Sequence, residues 1–185
     1  MNFNRYIFDC YLATDSAQAT LAFFNQFTSL IQQRDAVAIH QFVQNHLVDS
    51  ELSEWQEYVN AACDMVSWDL LDKSEGSMSL DEAILDYEFF IDDLLIEAGS
   101  AKQLLIWQPA ISFVLSIVNP DYFIPYFFRN QFFQLESIFR AFQIPLPPVP
   151  SKQQHQEKLT YYGDLCRALY DFRCIHNLSA VELWA

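Results

Sequence analysis

The amino-acid sequence predicts an all-α protein, a compact bundle of about six or seven helices with one irregular, proline-rich crossover. Three observations carry that prediction. Apolar residues recur at steps of three and four along most of the chain, which is the spacing of one helix face. Only 3 of the 185 residues are glycine, too few for the tight turns of an all-β fold. Six of the 7 prolines lie between Asn119 and Pro150, so the helix breakers are confined to a single stretch. A composition of 52% hydrophobic, 16% aromatic and 18% charged residues is that of a globular chain rather than a disordered one. The length fits one domain spanning residues 1–185, divisible into two layers at about residue 100.

In chain order, Thr14-Asp15 followed by Gln18 reads as a capped helix start. Leu21, Phe24, Phe27, Thr28 and Ile31 then recur at helical spacing, ending near Arg34-Asp35. A shorter helix carries Ile39, Phe42, Val43 and Leu47. A third, from about Ser50, sets Trp55, Val59, Ala62, Cys63, Val66 and Leu70 in one apolar stripe. After a loop at residues 73–77, Ser79 and Glu82 form a capping box that opens a fourth helix, closed by Gly99. At 100° per residue this helix gathers Ile84, Tyr87, Ile91, Leu94, Leu95 and Ala98 on one side. Glu82, Asp86, Asp93 and Glu97 share the opposite side. Leu85, Phe89, Phe90 and Ile96 fall on the flanks, which predicts contacts on more than one side. Leu104 to Val118 is the most apolar run and reads as a buried strand or helix, interrupted at Gln108-Pro109. It is shorter than the about 20 residues that span a bilayer.

The stretch Asn119 to Pro150 holds nine Phe or Tyr residues. Asn119-Pro120-Asp121 signals a turn, and Pro125 breaks whatever begins there. From Asn130 to Phe142 the pattern is helical, and Pro145, Pro147, Pro148 and Pro150 then favour an extended segment. Burying an aromatic side chain contributes roughly 1.5–3 kcal/mol, so the first expectation is a core-forming crossover. The second is a groove or partner surface that includes Tyr122, Tyr126, Phe127 and Phe128. Ser151 and Gln154 mark the next helix start. Leu159, Tyr162, Leu165, Cys166, Leu169 and Tyr170 form its apolar face, and Gly163 within it predicts close packing, because glycine there costs about 1 kcal/mol relative to alanine. The helix ends near His176-Asn177. Ser179 and Glu182 make a last capping box. A helix of half a dozen residues does not hold by itself, from which the expectation is an N-terminal piece of a longer protein.

Charge narrows the partners. Residues 1–100 carry 18 acidic and 3 basic side chains, whereas residues 101–185 carry 6 and 7. The first half therefore repels nucleic acid and anionic membrane, and attracts a protein partner with a basic or apolar surface. Cys10, Cys63, Cys166 and Cys174 form no CxxC pair and suggest a reducing, cytoplasmic compartment. The N-terminus lacks a signal-peptide pattern, and no membrane segment is expected.

Catalytic and cofactor motifs are missing. No glycine-rich phosphate loop and no Gly-x-Ser-x-Gly occurs, and no cofactor is expected. The acidic face Glu82, Asp86, Asp93, Glu97 has carboxylates at helical spacing, yet it lacks a calcium-loop pattern and a Glu-x-x-His motif. A solvated helix face is the favoured reading. His40 and His46, and Cys174 with His176, have no second pair to complete a metal site. Lys152, Lys158, Arg167 and Arg173 are interleaved with tyrosines in the last long helix, but they are too scattered for a nucleic-acid patch.

Asn119, Pro120, Tyr122, Pro125 and Tyr126, then a helix, then Leu146-Pro147 and a tyrosine-rich helix, resemble a phrase found in bacterial restriction-type proteins related to McrB-like ATPases and nucleases. The similarity spans residues 119–178. The basic residue that follows the acidic position in that phrase is absent here, and no ATPase or nuclease motif follows. The resemblance thus implies a helical accessory domain of a larger bacterial protein, with no catalytic residue. The leading expectation is a non-catalytic interaction or regulatory domain. The alternatives are an acidic DNA-mimicking inhibitor or adaptor acting alone, and an enzyme with a helical site near Tyr122, Tyr126, Arg129 and His155.

Overall fold

The computed structural model describes residues 3–33, 37–38, 41–42, 45, 78–126 and 132–184. Among them are seven α-helices and no strand. They are α1 (Arg5–Leu12), α2 (Asp15–Gln32), α3 (Leu80–Ala98), α4 (Ala101–Val118), α5 (Phe132–Phe142), α6 (His155–His176) and α7 (Ala180–Trp184). The expected helices at 39–47 and 50–70 lie almost wholly outside the described residues. Phe42, which is described, is buried against Phe23 and Phe27.

Local chemistry sets the helix ends. Asn4 caps α1 by accepting from the Ile7 N–H at 3.2 Å. Thr14 accepts from Ala17 N–H at the start of α2. The Ser79–Glu82 capping box opens α3 with both reciprocal bonds present, and Gly99 closes it at φ +71°, a conformation that favours glycine. Ser100 then caps α4. Two helices end in Schellman turns without glycine. Gln143 (φ 58°) is followed by Ile144, whose N–H reaches Phe139 O at 2.8 Å. Asn177 (φ 51°) is followed by Leu178, whose N–H reaches Arg173 O at 3.0 Å. Ser151 N–H does meet the Gln154 side chain, but as a turn; α6 begins at His155.

Helix α4 is the hub and packs on α2, α3 and α6. Residues 111–116 are all buried, so α4 is enclosed rather than amphipathic. It is one continuous helix with Pro109 inside it, where the sequence suggested an interruption. Proline in a helix interior costs about 3 kcal/mol, and packing on three neighbours offsets this. The Ser112 hydroxyl reinforces the turn: it donates to Pro109 O at 2.8 Å and accepts from the Tyr126 N–H at 2.9 Å. That second bond ties the crossover to α4.

Two apolar cores result. The first joins α2, α3, α4 and the start of α6 through Phe27, Tyr87, Ile91, Val114 and Tyr162. The second joins α5 and α6 through Leu135, Phe139, Leu165 and Phe172. Ile124 and Tyr126 pack against both, so the described part of the crossover bridges the cores. The short α7 docks on α2. It is further held by Glu182, which meets the Arg5 guanidinium at 2.5 Å.

One buried polar triad lies inside the first core. The Tyr87 hydroxyl donates to Leu159 O at 2.8 Å and accepts from Gln108 Nε2 at 3.0 Å. Gln108 is 1% exposed and its Oε1 has no hydrogen-bond partner among the described residues. Tyr87→Phe strips Gln108 of its side-chain bond, and is expected to lower the unfolding free energy by about 1–3 kcal/mol. Gln108→Met, which removes the amide at similar volume, is expected to be near neutral or stabilising. In the Gln108→Met background the Tyr87→Phe loss should shrink. Urea titration of the four proteins in a double-mutant cycle measures the coupling; additivity would disprove it.

Candidate functional site

The solvent side of α3 carries the most distinctive chemistry. The helix, LDEAILDYEFFIDDLLIEA, holds seven carboxylates and no basic residue. Its inner side is as the periodicity predicts: Ala83, Ile84, Tyr87, Ile91 and Leu94 are buried. Its outer side is not simply acidic. Leu85, Phe89 and Ile96 are 50%, 59% and 82% exposed. At 100° per residue they form one narrow row with Asp92. Asp81 and Glu88 fall on one side of that row, and Glu82, Asp86 and Asp93 on the other. Large apolar side chains this open to water, between two rails of carboxylates, are unusual for a face that serves only solvation.

Among the expected acidic residues, Glu82 and Asp93 are exposed and Asp86 is half-buried. The Glu97 side chain lies outside the described residues. Glu82 also closes the capping box, where its carboxylate accepts from the Ser79 amide at 2.7 Å and from the Ser79 hydroxyl at 2.8 Å. These bonds, the amide first, hold its pKa below the usual carboxylate range. Asp81 pairs with Arg167 of α6.

The aromatic residues named from the sequence divide differently. Tyr122 is half-buried, donates to Met78 O and packs its ring 5.7 Å from Tyr170. Arg173 lies over Tyr170 at 5.2 Å and bonds Asp121 at 3.0 Å. Tyr126 is half-buried between the cores, and burial raises its pKa. Both tyrosines thus act in packing. Phe127, Phe128 and Arg129 lie outside the described residues. His155 sits at the start of α6, its Nδ1 2.8 Å from Gln153 O. No group of three or more His, Cys, Asp or Glu among the described residues could hold a metal ion. No helix among them is long and apolar enough to cross a membrane.

A second feature lies on the other side of α6. The extended segment 143–150, here called the strap, runs alongside α6 and leaves a groove of about 850 Å³ between them. Tyr161 donates to Pro147 O at 3.3 Å and so fastens the strap. The run of four prolines was a signal for an extended wall, but only the tertiary structure puts that wall opposite α6.

Compared with protein-family models, with characterised proteins and with solved structures, the chain matches none of them.

Proposed function

We propose that this chain is a non-catalytic interaction module, and that the outer face of α3 receives a basic amphipathic segment of a partner protein. The observation that carries this reading is the row Leu85, Phe89, Ile96 standing exposed between carboxylates on a helix without a single base. Each element has a physical part. The apolar row supplies affinity through buried area, and the carboxylates speed encounter and select a cationic partner. An amphipathic helix with Lys or Arg flanking an apolar stripe matches both features. The same row disfavours a phosphate-mimicking inhibitor, which needs carboxylates and gains nothing from exposed Leu, Phe and Ile. The resemblance of residues 119–178 to helical accessory regions of McrB-like proteins supports an accessory role beside a larger bacterial enzyme.

The test uses a labelled helical peptide of leucine and lysine, titrated with the protein by fluorescence anisotropy. Affinity is expected to fall steeply as salt rises from about 50 to 500 mM. Phe89→Ser is expected to weaken binding at least about tenfold, the equivalent of 1.4 kcal/mol. The triple change Leu85→Ser, Phe89→Ser, Ile96→Ser should abolish it while circular dichroism stays unchanged. Binding that survives the triple change, or that ignores salt, rules the reading out.

A further inference from the structure

Separately from the α3 face, we propose that the groove between the strap and α6 binds a small amphipathic organic cation, an aliphatic or aromatic body ending in an ammonium or guanidinium group. Its volume, about 850 Å³, lies within the roughly 300–1,000 Å³ typical of small-molecule sites. Its floor is apolar. Phe3 and Phe142 each lean on Phe172, with ring centroids 5.4 Å and 6.0 Å away, and Ile175 is left 76% exposed at the edge. Such a floor takes an alkyl or aryl body, and ring faces also attract cations.

The polar groups decide the sign of the ligand's charge. Asp164 and Asp171 line the groove from α6, two helical turns or about 10 Å apart. Both are exposed, and neither has a salt-bridge partner among the described residues. Arg167 stands between them in sequence, but its guanidinium is held by Asp81. The opposite wall contains Pro145, Pro147 and Pro148, which have no N–H to donate. Arg167 and the Gln143 amide also line the groove, so donors are present, but the two aspartates outnumber its one fixed cation. The imidazole of His176 also borders the groove, tilted against Phe3 and Phe172 with ring centroids 4.5 Å from each. A rim with a surplus of carboxylates over an apolar floor complements a cation and disfavours carboxylates and phosphates.

The wall is also built in advance. The Schellman turn at Gln143–Ile144, the burial of Ile144 and the Tyr161–Pro147 bond fix the strap at both ends of the groove. Little ordering cost then falls on the ligand.

The experiment is an amide ¹H–¹⁵N titration of the full chain with hexylguanidinium, hexanol and hexanoate as probes. Hexylguanidinium is expected to give saturable shifts at Ala168, Asp171 and Leu146, hexanol weaker ones at the same amides, and hexanoate none. Changing Asp164→Asn together with Asp171→Asn should weaken hexylguanidinium binding about tenfold at low salt and leave hexanol unchanged. Both positions are exposed, so an otherwise unaltered spectrum confirms that the variant is folded. Equal shifts from all three probes, no shift with hexylguanidinium, or unchanged affinity in the double variant would each overturn the proposal. Binding of an arginine-containing leucine peptide without binding of hexylguanidinium also overturns it, and would assign the groove to a protein segment instead.

Discussion

Raising the pH above about 9 is expected to destabilise this protein steeply, because its core buries several weak acids in neutral form. Burial pushes the Cys166 thiol from an ordinary value of 9 up to about 12. Burial likewise raises Tyr87 and Tyr162 well above their ordinary value of 10. In each case the folded state favours the protonated group. The stabilisation is therefore complete below the unfolded-state pKa and is lost as pH rises toward the folded one. Of these three groups, Cys166 is the first to contribute, between pH 9 and 10. Above pH 10 Tyr87 and Tyr162 join it, and each group then lowers the folding constant by a factor of about ten per pH unit.

Above pH 10 these losses multiply, against a folding constant of about 10³–10⁸ for a small domain. Tyr126 and Tyr161, also raised by burial, steepen the fall. Urea midpoints followed by circular dichroism from pH 7 to 11 measure the effect, and tyrosinate absorbance reports the ionisation directly. Cys166→Ala should move the onset up by about one pH unit, from the thiol's ordinary range to that of tyrosine. A flat stability profile to pH 11, or all nine tyrosines ionising near pH 10 while the fold persists, would refute the argument.

The same buried groups show which parts of the fold were legible in the sequence. α3 was readable almost residue by residue: Ile84, Tyr87, Ile91 and Leu94 were assigned inward by periodicity and are buried. One face of α3 meets the core, so its pattern has a period. α4 resisted the same treatment because residues 111–116 are all buried; a helix surrounded by neighbours shows a continuous apolar run that also fits a strand. Pro109 made a break look certain, since the sequence does not reveal packing on three sides. α1 went unread because it is short and no residue of it is fully buried; Phe8 alone of its residues leans on the second core, too little to mark a stripe.

The candidate surfaces divide along similar lines. The carboxylates of α3 could be placed on its outer side from spacing alone. Leu85, Phe89 and Ile96 could be assigned to flanks, but their exposure depends on what packs beside them. A groove beside the proline-rich segment was one reading of the sequence, but its place against α6 was not legible. Asp164 and Asp171 share a helix face by their spacing, whereas their position opposite the strap is a tertiary fact. Tyr122 and Tyr126 illustrate the reverse case, aromatic residues that could serve a surface or a core and that pack between helices here.

Gly163→Leu is expected to separate α3 from α6 and to cost about 3 kcal/mol or more, the upper range for overpacking a core. Gly163 lies buried in the middle of α6, and a Cβ added there would come 3.1 Å from Ile84 Cγ2 of α3. Ile84 is itself fully buried, so it has little room to retreat. Gly163→Ala sets two effects of similar size against each other. Alanine gains about 1 kcal/mol of helix propensity, while its methyl group presses on Ile84, so the net change should stay within about 1 kcal/mol. Leucine adds three further carbons and must push the helices apart. The contact can be isolated through Ile84→Leu, which removes the offending Cγ2 methyl. In the native background that exchange should cost up to about 1.5 kcal/mol. In the Gly163→Ala background it should cost less, because it also relieves the pressure. Urea midpoints of the four proteins give the coupling energy, and additivity within about 0.5 kcal/mol would show that Gly163 is not there to let the two helices meet. Since α3 is seated on α6 at this point, Gly163→Leu should also displace the outer α3 face and weaken peptide binding there, although the substituted residue lies on another helix.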